Sequence, residues 1–101
     1  VTLVGMCEDK NIHDVLSILG NVSSAVVTTK VENPRAVDAD KLASLAPDSL
    51  NTYVVPQPEN ALEKAVMLAG TDGLVLATGS LYLVGEIMKY YNLHSENIYY
   101  M

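Results

Sequence analysis

Short apolar runs alternate with helix-spaced apolar positions along the whole chain. Residues 1–5 form an apolar run that predicts a first strand, followed by a polar loop over 6–11. Ile12, Val15, Leu16 and Leu19 recur at helical spacing, which predicts a helix over 12–19 with Gly20-Asn21 as its stop signal. Residues 25–31 are rich in β-branched side chains and predict a second strand. Pro34 interrupts any further ladder in the loop over 32–35. A helix over 38–46, with Leu42 and Leu45 inward, ends before Pro47. Residues 52–55 predict a third strand and Pro56-Gln57-Pro58 a turn. Pro58 or Glu59 opens a helix to residue 69 with Ala61, Leu62, Ala65, Val66 and Leu68 inward, and its acidic first turn suits the helix dipole. The turn 70–73 leads to a strand over 74–77, and a last helix runs from 81 to about 91.

The stretch from Leu74 to Glu86 organises the rest. Its first four residues are an unbroken apolar run, the pattern of a strand covered on both faces. Thr78-Gly79-Ser80 breaks that run. Gly79 can take a backbone conformation closed to other residues and lets a ligand approach the main chain, and Ser80 is a good N-cap for the helix beginning at Leu81. A strand feeding such a turn makes an anion site, because free N–H groups and the helix dipole point at it. A compact strand-to-helix turn accounts for the same residues.

Four strand–helix alternations are the signature of a three-layer α/β fold: a mostly parallel sheet with crossover helices. Right-handed crossovers predict the half-Rossmann order 3-2-1-4, with the first and fourth strands side by side and the switch point between their C-terminal ends. The tail from Ser95 to Met101 lacks helical spacing and reads as a short edge strand or a fraying end.

Length and charge narrow the function classes. A chain of 101 residues is a single domain with one core, and no apolar run approaches a membrane span. No secretory signal opens the chain, which starts without Met inside a strand-like run and reads as a fragment of something longer. A net charge of −6 argues against nucleic-acid and anionic-membrane partners. The single cysteine, Cys7, cannot form an internal disulfide, which fits a cytoplasmic setting; it reads as a structural thiol with no histidine beside it. His13 and His94 stand far apart, outside any metal-ligand spacing.

Three loops leave the C-terminal ends of strands one, two and four. They carry Asp9-Lys10, Asn33-Pro34-Arg35 and Thr78-Gly79-Ser80. Two cations and a helix N-terminus at one edge are suited to holding carboxylates. Simpler readings stand beside this one. Lys10 could be a solvated loop lysine, Asn33-Pro34 a turn starter, and Arg35 a helix cap or a surface partner of Asp38 or Asp40. Glu86 reads as facing solvent. Tyr82 is the tyrosine best placed for ligand contact, the others reading as packing residues. No GxxxxGK[ST] phosphate loop and no GxSxG elbow is present, so neither nucleotide binding of that kind nor serine-hydrolase chemistry is expected here.

The segment TGSLYLVGE, residues 78–86, is similar to the signature near the C-terminus of folylpolyglutamate and dihydrofolate synthases. VGMCEDKNI, residues 4–12, resembles that family's first strand and loop, and Asn33-Pro34-Arg35-Ala36 resembles the piece after its second strand. The three pieces lie in the family's order and together span most of the chain. The resemblance implies a Rossmann-like C-terminal domain of the muramyl ligase superfamily, whose members join an amino acid to a carboxylate using ATP. It implies L-glutamate and a folate as substrates, with ATP and Mg2+ held mainly by an N-terminal ATPase domain. A monomer is expected, and this chain alone should be inactive and supply no catalytic residue. It also implies that Glu32-Asn33-Pro34-Arg35, with Glu where related ligases have Asp, and Lys10 grip the incoming glutamate, with Ser80 on a substrate carboxylate. Asp9, Gly79 and Tyr82 border that site. Another muramyl-type ligase domain, or a free-standing α/β binding module, are the rival readings.

Overall fold

The computed structural model describes residues 1–8 and 11–89, and the backbone of 98–100. Asp9, Lys10, His94, Tyr90, Tyr91 and most of the tail lie outside the described residues. Nine elements follow in order: β1 (Thr2–Val4), α1 (Ile12–Gly20), β2 (Val26–Thr28), α2 (Ala39–Ser44), β3 (Thr52–Val54), α3 (Pro58–Ala69), β4 (Val75–Thr78), α4 (Leu81–Met88) and β5 (Ile98–Tyr100).

The sheet runs β3-β2-β1-β4-β5 with every neighbouring pair parallel. The expected order 3-2-1-4 is therefore observed, and the tail adds β5 beside β4. Thr2, Leu3 and Val4 pair with Val26, Val27 and Thr28 on one side and with Leu76, Ala77 and Thr78 on the other.

Two apolar clusters cover the two faces of the sheet. Leu3, Val27, Val75 and Ala77 pack with Ala61, Leu62 and Ala65 of α3 and Leu83 and Ile87 of α4. Val4, Met6 and Val26 pack with Leu16 of α1 and Leu42 of α2. Alternate residues of one strand thus feed opposite layers, as the period-2 geometry of a strand requires. Cys7 is only 8% exposed and belongs to the first cluster, as its reading as a structural thiol expects.

The helices follow their local chemistry. Pro58 sits in the first turn of α3, where its missing N–H leaves no bond unmade, and Glu59 faces the positive end of the dipole. Ser80 caps α4, its Oγ accepting the Tyr82 N–H at 3.1 Å. The strands are shorter than the apolar runs suggested. Leu74 lies outside β4 and is 55% exposed, because the run begins one residue before the sheet does. β2 ends at Thr28, and Thr29 and Lys30 turn away to bond the Pro56 carbonyl, through Oγ1 at 3.0 Å and N–H at 3.1 Å. β3 is an edge strand with Tyr53 and Val54 partly exposed, and the Lys64 ammonium stands 4.9 Å from the Tyr53 ring centroid.

Candidate functional site

Parallel strands put all their C-terminal ends on one side, so the loops after β1, β2 and β4 meet along one rim. Backbone contacts tie the first two together beyond the sheet. The Val37 N–H donates to the Met6 carbonyl and the Glu8 N–H to the Arg35 carbonyl, each at 2.9 Å. Cys7 and Ala36 form an antiparallel bridge between them. Asn33 shapes the turn that makes this possible. Its Oδ1 accepts the Arg35 N–H at 2.8 Å and its carbonyl accepts the Ala36 N–H at 3.0 Å. An Asn side chain bonded two residues ahead in this way mimics a backbone turn.

Arg35 does not pair with Asp38 or Asp40. Its Nε lies 3.5 Å from Glu8 Oε1, and both side chains are more than half exposed. Asp38 is taken by Lys30, Nζ to Oδ1 at 3.0 Å. A solvated pair such as Arg35–Glu8 contributes ~0–1 kcal/mol, so a ligand carboxylate can replace Glu8 at small cost. The sequence reading missed Glu8 and Lys30. Only the parallel register of β1 and β2 puts them on the same rim.

The third loop joins by close packing. Gly79 has φ 111°, a conformation glycine tolerates and L side chains avoid. A Cβ built there would stand 2.6 Å from the Gly5 carbonyl oxygen and 3.0 Å from Met6 Cγ. The space that glycine frees is therefore filled by the end of β1. Ser80 keeps its hydroxyl proton: accepting the Tyr82 N–H uses a lone pair and leaves the O–H free to donate to an anion. Leu81 and Tyr82 are exposed on the first turn of α4.

Glu86 does not simply face solvent. Its Oε1 accepts the backbone N–H of Glu32 at 2.7 Å, joining α4 to the loop after β2. The loops after β1, β2 and β4 thus carry Glu8, then Lys30, Asn33 and Arg35, then Gly79 and Ser80, with Tyr82 and Glu86 on α4.

Among the described residues, no glycine turn of this rim is a phosphate-binding loop. The turn 70–73 precedes β4 instead of following a strand, and the Gly79 turn is occupied by Gly5. Among the described residues, no three His, Cys, Asp or Glu side chains stand close enough together to hold a metal ion. No helix among them is long and apolar enough to cross a membrane.

The chain is thus an α/β domain, a parallel sheet covered on both faces with charged side chains along the rim at its switch point. The chain belongs to the Mur ligase, glutamate ligase domain family, whose model matches residues 1–81. Solved structures of similar fold include E. coli FolC in complex with DHPP and ADP, at 25% identity and a TM-score of 0.80, covering 94% of this chain and 23% of that one. A bifunctional folylpolyglutamate synthase/dihydrofolate synthase from Yersinia pestis, complexed with AMPPNP and Mn ion, is 26% identical with a TM-score of 0.78, covering 90% of this chain and 22% of that one. The fold is shared as well with the Mycobacterium tuberculosis folylpolyglutamate synthase complexed with ADP and AMPPCP, at 24% identity and a TM-score of 0.77, covering 94% and 23%. The chain spans less than a quarter of the length of each of these proteins. No curated protein sequence matches it.

Proposed function

We propose that this chain is the C-terminal, amino-acid-binding domain of an ATP-dependent folylpolyglutamate synthase, with dihydrofolate synthase activity as a second capacity of the same enzyme. The observation that carries the reading is the rim itself, on a domain of the glutamate ligase family whose structural relatives include a bifunctional folylpolyglutamate synthase/dihydrofolate synthase. Incoming glutamate brings two carboxylates and an amine that must reach the reacting centre uncharged. Arg35 offers a planar fork for one carboxylate, and Lys10 a second positive charge on the neighbouring loop. The Ser80 hydroxyl and the N-terminal amides of α4 receive the other carboxylate. Asn33 holds the loop that presents Arg35. Asp9 and Tyr82 border the site, and Gly79 sets the α4 terminus against β1.

ATP and Mg2+ belong to a nucleotide-binding domain that this chain lacks the residues to replace. The nucleotide supplies activation of the folate carboxylate as an acyl phosphate. The residues here orient glutamate so that its amine meets the acyl carbon, forming the amide and releasing phosphate. Holding both reactants in one geometry, and closing the domains over them, supplies much of the rate and keeps water from the acyl phosphate. We place the enzyme in the cytoplasm as a monomer.

The test is ADP release from ATP with folate and glutamate present. The full-length ligase should turn over only with both substrates, and the 101-residue chain should match a catalytically dead control. Turnover by this chain alone, or a full-length enzyme indifferent to glutamate, sinks the reading.

A further inference from the structure

Between the last helix and the loop after β2 runs one long-range polar bond. Glu86 Oε1 accepts the Glu32 N–H at 2.7 Å across 54 residues of sequence. The geometry points to Glu86 as a positioning residue that sets the distance between the Asn33–Arg35 loop and the Ser80 terminus of α4. The inference rests on the glutamate reading above.

Two attachments fix this loop to α4. Val31, immediately before Glu32, is 2% exposed and shares an apolar cluster with Leu83 and Ile87 of α4. Glu86 lies one residue from Ile87 and three from Leu83, so it flanks the same stripe of the helix. The apolar contact fixes the loop's depth, and the carboxylate fixes its orientation, since a hydrogen bond is directional and burial is not. The orientation then passes along the loop: Glu32, the Asn33 turn, Arg35. At the far end of α4 stands Ser80, the other proposed carboxylate contact. One short rigid helix therefore holds both, one by its cap and one through Glu86. A carboxylate bonded to the loop backbone thus governs how far apart the two carboxylate contacts sit.

The chemistry of the bond sets the test. Glu86→Gln keeps the reach and an acceptor oxygen but loses the charge. Glu86→Asp keeps the charge but falls one methylene short. Glu86→Ala loses both. If contact at that distance is what matters, Gln behaves like the wild type while Asp behaves like Ala. Amide hydrogen exchange on the 101-residue chain reads the bond directly. The Glu32 N–H should exchange about tenfold faster or more in the Asp and Ala variants, with the Leu3 and Val27 amides of the sheet unchanged. In the full-length ligase, the same two variants should raise the KM for glutamate by about three- to tenfold, with kcat and the KM for ATP held. A role confined to folding would lower thermal stability in the Asp and Ala variants without that split. Unchanged Glu32 exchange in Glu86→Ala overturns the inference. So does faster exchange with an unmoved glutamate KM, provided Arg35→Ala raises it; the glutamate reading then survives alone. If neither Glu86→Ala nor Arg35→Ala moves that KM, both fall.

Discussion

The two ends of the sheet are built differently. At the C-terminal end the loops bind one another: residues 6–8 zip to 35–37, Gly79 packs on Gly5, and Glu86 reaches Glu32. Charged side chains, Glu8, Lys30, Arg35 and Asp38 among them, crowd that end. At the N-terminal end each connection bonds to the neighbouring strand, as with Thr2 N–H to the Ala25 carbonyl at 3.0 Å, Val26 N–H to the Asn51 carbonyl at 2.8 Å and Thr2 Oγ1 to Ser23 Oγ at 2.5 Å. A shallow depression there, about 170 Å³, is lined by Ser17, Asn21, Ser23, Ser49 and their small neutral neighbours. Loops that only close a turn can meet through apolar contacts, as Gly20 meets Leu50 and Pro47, with no directional bond between them. Loops that must present groups to a shared ligand need such bonds, because relative position is then part of their task.

Glycines at the two ends should break apart most sharply. Gly79→Val forces a side chain into positive φ and against the Gly5 carbonyl, and should lose on the order of 2–5 kcal/mol of stability in thermal or denaturant unfolding. At the other end, Gly20 closes α1 with only ordinary contacts, 3.6 Å to Leu50 Cδ2 and 3.7 Å to Pro47 Cγ. Gly20→Ala should be neutral or stabilise by up to about 1 kcal/mol. Equal losses at both positions would show that the rim is no more tightly packed than the opposite end.

The kinetic contrast is next in size. Removing a charge-assisted contact costs on the order of 1.5–3 kcal/mol, so Arg35→Ala should raise the glutamate KM of the full-length ligase by roughly ten- to a hundred-and-fifty-fold. The KM for ATP should hold. Arg35→Lys should rescue only in part, since an ammonium lacks the planar fork. Unaltered glutamate kinetics would leave Arg35 as a surface partner of Glu8 and nothing more. Ser80→Ala should act in the same direction but less, and should also cost about 0.5–2 kcal/mol of stability through the lost cap. A Ser80→Ala enzyme with the wild-type melting curve would contradict the capping geometry.

Much of this plan is legible in the sequence, because apolar period and turn residues are local signals. The run 74–77, the Gly79-Ser80 break and the helix after it can be read without knowing their neighbours. The strand order follows from crossover handedness once the alternation is seen. What escapes is any partner choice made across loops. Arg35 has two acidic residues a few positions downstream, yet it faces Glu8, 27 positions upstream, because the bridge at Cys7 and Ala36 brings those segments together. Glu86 looks like a solvent-facing helix residue until α4 is laid beside the loop after β2. Gly79 announces an unusual backbone but not its reason, which is the Gly5 carbonyl of another strand.

Smaller effects sharpen the same contrast. Cys7 is buried in an apolar cluster at the rim, so Cys7→Ala should keep ligase activity within about a few-fold. A loss of several orders of magnitude in a folded enzyme would assign chemistry to the thiol. Ser23→Ala removes the bond to Thr2 at the opposite end and should cost about 0.5–1.5 kcal/mol of stability while leaving the glutamate KM within about twofold. A glutamate KM that rose with Ser23→Ala would erase the functional difference between the two ends.

The central place of β1 also governs when the domain can become complete. This strand precedes the other four in sequence, yet one whole side of β1 waits for Leu76, Ala77 and Thr78 to arrive. A ribosome must therefore have made nearly the entire domain before its middle strand is enclosed. Until then Leu3 and Val4, wholly buried in the finished fold, lie beside an open edge. Pairings of such long sequence separation form late and slowly, so the newly made chain passes through a period of exposure that its mature structure does not record.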